Sequence, residues 1–151
     1  MKKFKYRLEP LLKVRKHREK ERQKEHAAAM KKVQDQQDQL HRIDDSKMAT
    51  IDSHRQRLMG KITVAEALVC SRYLTRLKRD RLAGYEILQG LKRKAETRRE
   101  ELVEAARERK IYELLREKQE RRHLKEIEDF EQKETNEVAI SAYRQKKKKG
   151  Q

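Results

Sequence analysis

Apolar side chains recur along this chain every three or four residues, and very little interrupts the rhythm. In the arm that runs from Leu11 to Met59, the positions that keep this rhythm past the basic start are Ala29, Met30, Val33, Leu40, Ile43, Met48, Ile51, Leu58 and Met59, with Gln37 and Asp44 filling gaps. From Cys70 onward the spacing is more regular. One stripe reads Leu74, Arg81, Leu88, Ala95, Leu102 and Arg109, and a second reads Cys70, Leu77, Gly84, Leu91, Arg98, Ala105 and Tyr112. Alternating three- and four-residue steps place both stripes along one edge of a helix, the seam of a coiled coil. A stripe this narrow cannot be buried by its own helix, so each arm predicts a partner.

The break between the arms is short: Met59-Gly60-Lys61-Ile62-Thr63-Val64-Ala65-Glu66. Gly60 stands where a helix could end in the left-handed region. Thr63 and Glu66 have the spacing at which a hydroxyl and a carboxylate cap the first backbone N–H groups of a new helix. A stop followed at once by a start predicts a helical hairpin. Helix 1 is expected over about residues 8–59, a turn over 60–63, helix 2 over about 64–143 and a basic tail over 144–151. The fold class is all-α, a single long antiparallel two-helix coiled coil whose second helix is the longer. Pro10 is tolerable only in a helix's first turn and marks the start of the first arm.

Folding tightly about the turn pairs residues whose numbers add to about 123. With a slip of several residues allowed, that register sets Leu40 near Leu82, Val33 near Leu91, and Leu12 near Ile111 and Tyr112, along an unbroken apolar strip. Beyond about Leu115 helix 2 is expected to lack a mate, and its thirty or so residues would project roughly 45 Å. Leu124, Ile127 and Phe130 carry the apolar spacing into this overhang, and Val138, Ala139, Ile140, Ala142 and Tyr143 form one more apolar patch. The run Lys146 to Lys149 reads as a disordered, solubilising tail. Gly84 and Gly90 each cost a helix about 1 kcal/mol relative to Ala, and either permit close approach or allow a bend.

Composition narrows the class. Of 151 residues, 45% are charged and 34% hydrophobic, with no Trp, too polar for a closed globular core. Disorder suits the same numbers. One Pro, four Gly and abundant Lys, Arg, Glu, Leu and Gln argue for helix instead. A lone Cys70 excludes an internal disulfide and fits a reducing compartment. No apolar run approaches the ~20 residues of a membrane span, and no signal-type apolar segment follows the basic start, so a cytosolic protein is expected.

The net charge of +16 implies acidic partners. Much of the excess is local, with eleven Lys or Arg against three acids between Lys2 and Lys24, and six of each from Glu25 to Met59. This is either a solvated helix face or a basic end anchored by Phe4, Tyr6, Leu8, Leu11 and Leu12.

Catalytic constellations are missing from the sequence. His17, His26, His41, His54 and His123 are scattered, and no Cys cluster accompanies them, so no metal is expected. Glu120-Arg121-Arg122-His123 has the Glu-x-x-His spacing of di-iron bundles but stands alone. No glycine lies in a phosphate loop, no cofactor is implied, and Cys70 lies on the seam as a small hydrophobe. Nucleic-acid binding is not favoured. Glu19, Glu21 and Glu25 interrupt the basic run, and Tyr73, Tyr85 and Tyr112 are expected to pack into the hairpin rather than stack on bases.

The opening Phe4-Lys-Tyr6-Arg7-Leu8-Glu-Pro-Leu11-Leu12-Lys-Val-Arg15 resembles the start of the flagellar FliJ proteins. The turn from Gly60 to Glu66 is similar to that family's Gly-containing turn. Tyr112-Glu-Leu-Leu-Arg116-Glu117-Lys118, and Glu131-Gln-Lys-Glu-Thr-Asn136-Glu137-Val-Ala139, resemble its C-terminal pattern, with Asn136 where the family often has Asp. The resemblance implies a non-enzymatic stalk of the flagellar type III protein export apparatus, similar to the central stalk of rotary ATPases. It implies that both chain ends enter the hexameric export ATPase and promote its assembly and activity. It further implies contact with the cytoplasmic linker of the export gate membrane protein, a place at the cytoplasmic face of the inner membrane without insertion, and in some members the handling of empty export chaperones.

Carried over by position, the ATPase-binding residues are Phe4, Tyr6, Arg7, Leu8, Leu11, Leu12 and Arg15. Arg109, Lys110, Arg116 and Lys118 join them by hairpin proximity and charge. The gate-binding residues are Gln39, Ile43, Tyr73 and Leu77, while Ser46 and Thr50 replace tyrosines of the family. The alternatives are a basic coiled coil bound to nucleic acid or ribosomes, and the related stalk of an injection apparatus.

Overall fold

The computed structural model of the chain describes residues 4–149. Two helices account for nearly all of them, α1 over Glu9–Leu58 and α2 over Val64–Lys149, and they pack against each other as a helical hairpin with no strand among the described residues. α1 starts where Pro10 demands, in a first turn closed by Leu12 N–H donating to Leu8 O at 3.0 Å. α2 runs to Lys149, past residue 143, because Arg, Gln and Lys sustain a helix and no Gly or Pro intervenes before Gly150. Gly150 and Gln151, the end of the expected tail, lie outside the described residues, as do Met1 to Lys3.

The turn is built as expected at one end and differently at the other. Thr63 N–H donates to Glu66 Oε2 at 2.9 Å and Glu66 N–H to Thr63 Oγ1 at 3.3 Å, a reciprocal cap that starts α2. Gly60, however, is not left-handed, since no described residue has a positive φ. α1 ends instead by tightening: Met59 N–H reaches Gln56 O at 3.3 Å and Gly60 N–H reaches Arg57 O at 3.0 Å, each three residues back.

Contacts divide the chain into two units. The hinge unit, Lys20–Glu104, holds the apolar centre. Val33, Leu40, Leu88 and Ala95 are buried together there, with Ala29 and Leu91 packed against them and Leu77 buried further along. Val33 and Leu91 thus share a cluster as predicted. Leu40 does not face Leu82, which is 62% exposed. It packs against Gly84, where a Cβ would come within 2.7 Å of Leu40 Cδ2. Successive helical residues are turned by about 100°, so a partner two positions away lies on another face. Ion pairs continue the seam: Arg22 to Glu101 at 3.0 Å, Arg98 to Glu25 at 3.3 Å and Arg81 to Asp44 at 2.9 Å. Arg22–Glu101 and Glu25–Arg98 hold the predicted register. Tyr73 and Tyr85 are exposed, contrary to their expected place inside, and Tyr85 carries the Arg81 guanidinium 5.3 Å above its ring.

The second unit joins Met1–Glu19 to Ala105–Gln151 and is called the terminal unit below. Leu12 is 1% exposed, and Tyr6 and Ala105 are also buried. The expected neighbour Ile111 is 57% exposed, again one step of helical rotation off the seam. α2 does not lose its mate at Leu115. The start of α1 and the segment before it extend the pairing, with Arg116 3.4 Å from Glu9 and the Phe4 ring 5.7 Å from that of His123. Nor is the strip unbroken. Arg15, Glu19, Glu108, Arg109 and Glu113 replace apolar residues between Leu12 and the end of the unit.

Gly90 and Gly60 make an economical test of these placements. A Cβ on Gly90 meets nothing within 4 Å, and one on Gly60 only Arg57 O at 3.7 Å. Gly90→Ala should therefore stabilise by roughly 0.5–1 kcal/mol, and Gly60→Ala should cost no more than about 0.5 kcal/mol. Urea unfolding measures both, and a clear loss at Gly60 would indicate a left-handed turn after all.

Candidate partner-binding surfaces

In the terminal unit the predicted residues sort into clamp and surface. Tyr6 donates its phenol to Tyr112 O at 3.0 Å, and burial foremost, then the nearby Tyr112 and Glu9, pushes its pKa up, so it remains a donor. Leu12 fills the interior. Arg15 reaches Glu108 at 2.6 Å with its guanidinium 5.7 Å from the centre of the Tyr112 ring, while its Nε has no hydrogen-bond partner. Arg109 lies between Glu19 and Glu113, and Lys16 approaches Glu113 at 3.5 Å. The Nε of Arg109 is close to Glu19 but not aimed at it. These residues hold the two helices together in register, since half-buried ion pairs discriminate between alignments more than they stabilise them.

What remains outward is Arg7, Leu11, Lys110 and Lys118, all exposed, with Phe4, Leu8 and Arg116 half-buried. Phe4, Arg7, Pro10, Lys13 and Arg116 border an open groove of about 760 Å³. On α2 a second groove of about 490 Å³ is lined by Leu114, Lys118, Arg121, Arg122 and Lys125 with one acid, Glu117. Sequence reasoning missed Arg121, Arg122 and Lys125. Their spacing from Leu114 and Lys118 was the available signal, because steps of three and four share a helix face. Both grooves join apolar walls to cations and suit an acidic protein surface.

The expected gate-binding residues belong to the hinge unit and do not converge. Ile43 and Leu77 line one groove of about 480 Å³, bordered also by Lys47, Leu74, Lys78 and Arg81. Tyr73 lines another of about 550 Å³ near the turn, with Thr50, His54, Ile62 and Cys70. Gln39 is exposed and borders neither. The hydroxyls of Ser46 and Thr50 turn back to their own helix, donating to Arg42 O at 2.8 Å and Ser46 O at 2.7 Å. The described residues contain no group of three or more His, Cys, Asp or Glu able to hold a metal, and no helix long and apolar enough to cross a membrane.

Residues 4–148 match the sequence model of the family described as Flagellar FliJ protein. The chain belongs to the flagellar FliJ family. It is therefore a component of the flagellar export apparatus. No curated protein and no solved structure matches it. The FliJ match covers both arms and the turn, so the terminal clamp, the capped hinge and the long α2 all lie within the family's span.

The carboxylates paired in this FliJ-family chain should make its stability fall in acid. Burial raises the Glu113 carboxyl, but the hydrogen bond and charge of Arg109, helped by Lys16, outweigh it and hold the group below its ordinary value. Hydrogen bonds from Arg98 and from Thr63 likewise lower Glu101 and Glu66. A carboxyl whose pKa is lower folded than unfolded adds stability above the unfolded value of about 4.3, and that stability is lost as pH falls through the folded value. The melting temperature should therefore drop between about pH 5 and pH 3. Circular dichroism should show a shallower drop for Glu113→Gln than for the wild type.

Proposed function

We propose that the terminal unit binds the export ATPase ring and promotes its assembly and activity, acting as a non-enzymatic stalk. The observation that carries this reading is the pair of cation-lined grooves beside the clamp, together with family membership. Arg7, Leu11, Lys110 and Lys118 make the direct contacts, joined by Arg121, Arg122 and Lys125. Tyr6, Leu12, Arg15 and Arg109 act by holding both chain segments in place. In the hinge unit the Ile43–Leu77 groove receives the cytoplasmic linker of the export gate, and Tyr73 offers a separate contact nearer the turn. The protein thereby works at the cytoplasmic face of the inner membrane.

The experiment is hydrolysis by the cognate export ATPase with increasing amounts of this protein. Hydrolysis and ring formation should both rise, and Lys118→Glu/Arg122→Glu should need about tenfold more protein for half the effect, because two reversed rim charges oppose docking. No change in hydrolysis at saturating protein would overturn the reading.

A further inference from the structure

The turn end of the hinge unit carries an apolar surface that neither helix covers. Met59 is 91% exposed and Val64 79%, and Leu58, Leu68 and Val69 behind them are exposed too. Arg57 and Lys61, also exposed, stand beside these residues. On α2 one line continues the pattern. Val64 and Leu68, then Arg72, Arg76 and Arg79, recur at helical spacing on the face turned away from the buried Leu77 and Leu88. The three arginines line an open groove of about 350 Å³ together with Ser71 and Thr75. Met59, Val64 and the residues that follow Val64 on this line border neither of the grooves that hold Ile43 and Tyr73. Acids are few here. From Arg55 to Arg79 seven cations accompany one acid, Glu66, which is engaged in capping α2. Asp80, a turn further from the apex than Arg76, lies 3.8 Å from it.

From this arrangement we propose that the turn end of the hairpin docks, apex first, on an anionic lipid surface. Stable interfacial binding takes two signals, apolar area to bury and attraction to acidic headgroups. The turn supplies both within about 12 Å, the advance from Val64 to Arg72. Met59 and Val64 lead, and the arginines follow at the level of the headgroups. Side chains lean toward the N-terminus of their helix, and α2 begins at the turn, so Arg72 and Arg76 lean toward the surface that Val64 and Leu68 enter. Lys61 sits at the apex itself, where its aliphatic stem lets the ammonium stay among the headgroups. A tilt that lays the outward face of α2 against the lipid brings Arg79 within a Debye length, roughly 8–10 Å. The apex is convex, with apolar side chains from both helices, and a fluid interface covers such a surface without a matching cavity. Nucleic acid would use the cations alone and leave Met59 and Val64 in water. No described helix is long and apolar enough to cross a membrane, so the contact stays at the interface. It leaves the terminal unit and the Ile43–Leu77 groove free, and so agrees with the proposed ATPase and gate contacts without resting on them.

Co-sedimentation of the full chain with vesicles tests this. Vesicles of phosphatidylglycerol and phosphatidylethanolamine should retain the protein, and vesicles of phosphatidylcholine alone should not. Met59→Ser/Val64→Ser and, separately, Arg72→Gln/Arg79→Gln should each lower partitioning about tenfold. Lys31→Gln/Lys32→Gln removes the same charge from exposed positions of the hinge unit far from the turn, and should lower it no more than about twofold. All three variants change exposed residues only and should keep wild-type helix content. The chain has no Trp, so Met59→Trp adds a single reporter whose emission should shift to the blue with the anionic vesicles and not with phosphatidylcholine. Equal losses from the two charge variants, the mark of a strongly basic chain on any polyanion, would overturn the proposal. So would wild-type partitioning of Met59→Ser/Val64→Ser, or an unshifted emission from vesicle-bound Met59→Trp, which would leave the apolar apex for a protein partner.

Discussion

Leu12→Ala should destabilise the terminal unit by about 3 kcal/mol, the largest effect of any single truncation in this chain, because a fully enclosed Leu loses both its transfer free energy and its packing. Leu12 is 1% exposed and is the only large side chain among the described residues buried below 2%. The neighbouring Leu11, turned about 100° away on the same helix, is 36% exposed. Its truncation should leave the melting curve nearly unchanged, since exposed substitutions usually stay within about 0.5 kcal/mol. The two variants separate clamp from contact. Leu12→Ala should lower thermal stability and, through loss of the clamp, ATPase stimulation. Leu11→Ala should reduce stimulation at unchanged stability. Denaturation followed by circular dichroism, paired with the hydrolysis assay, reads both. Equal melting of the two variants would mean that Leu12 does not hold the segments together.

Gly84→Val should cost the hinge unit about 2–3 kcal/mol, because overpacking a filled interface forces side chains off their rotamers. A Cβ at this position already comes within 2.7 Å of Leu40 Cδ2 and 3.2 Å of Gln36 Nε2, whose amide donates to Gly84 O at 3.1 Å. Leu40 is itself buried in the apolar cluster and cannot simply swing outward. The gain in helix propensity on replacing Gly, about 1 kcal/mol at most, is smaller than the crowding. Leu40→Ala alone should also destabilise, by leaving a cavity. The double variant Leu40→Ala/Gly84→Val should be less destabilised than the two single losses added together, since the space removed on one helix is refilled from the other. Strict additivity in urea unfolding would mean that the helices meet in another register.

The contrast between Gly84 and Gly90 illustrates how far a sequence of this kind can be read. The periodicity already set Gly84 on a seam stripe and Gly90 off it, but it left close approach and bending equally open for both. Only Gly84 lies on the seam, where a Leu of the opposite helix takes the space a side chain would occupy. The ionic tier was hidden for a related reason. Glu19 and Arg22 read only as members of a mainly basic run, and Arg15 and Arg109 as partner-binding residues. They become a clamp once pairs such as Arg15 with Glu108 and Arg22 with Glu101 are brought within 3.0 Å. Leu82 and Ile111 erred in the opposite sense, as apolar residues assigned inward that the partner helix does not cover.

For the candidate site, the apolar anchor and basic character of the N-terminal segment were visible in residues 4–15. Sorting that list into buried Tyr6 and Leu12, paired Arg15, and outward Arg7 and Leu11 was not. Exposure depends on what lies opposite. The residues expected to bind the gate show the same gap, since Ile43 and Leu77 share a groove that Tyr73 and Gln39 do not border.

Helix, turn, antiparallel pairing and approximate register were determined by the chain alone. Each rests on local chemistry repeated many times: apolar periodicity, the Thr63–Glu66 cap, and a turn too short to allow other pairings. The tertiary structure decided which of two adjacent helical faces turns inward, how Gly60 ends α1, and which charges pair across the seam. Those outcomes depend on side chains tens of residues apart meeting within a few ångströms, and a step of one residue rotates a contact by about 100°.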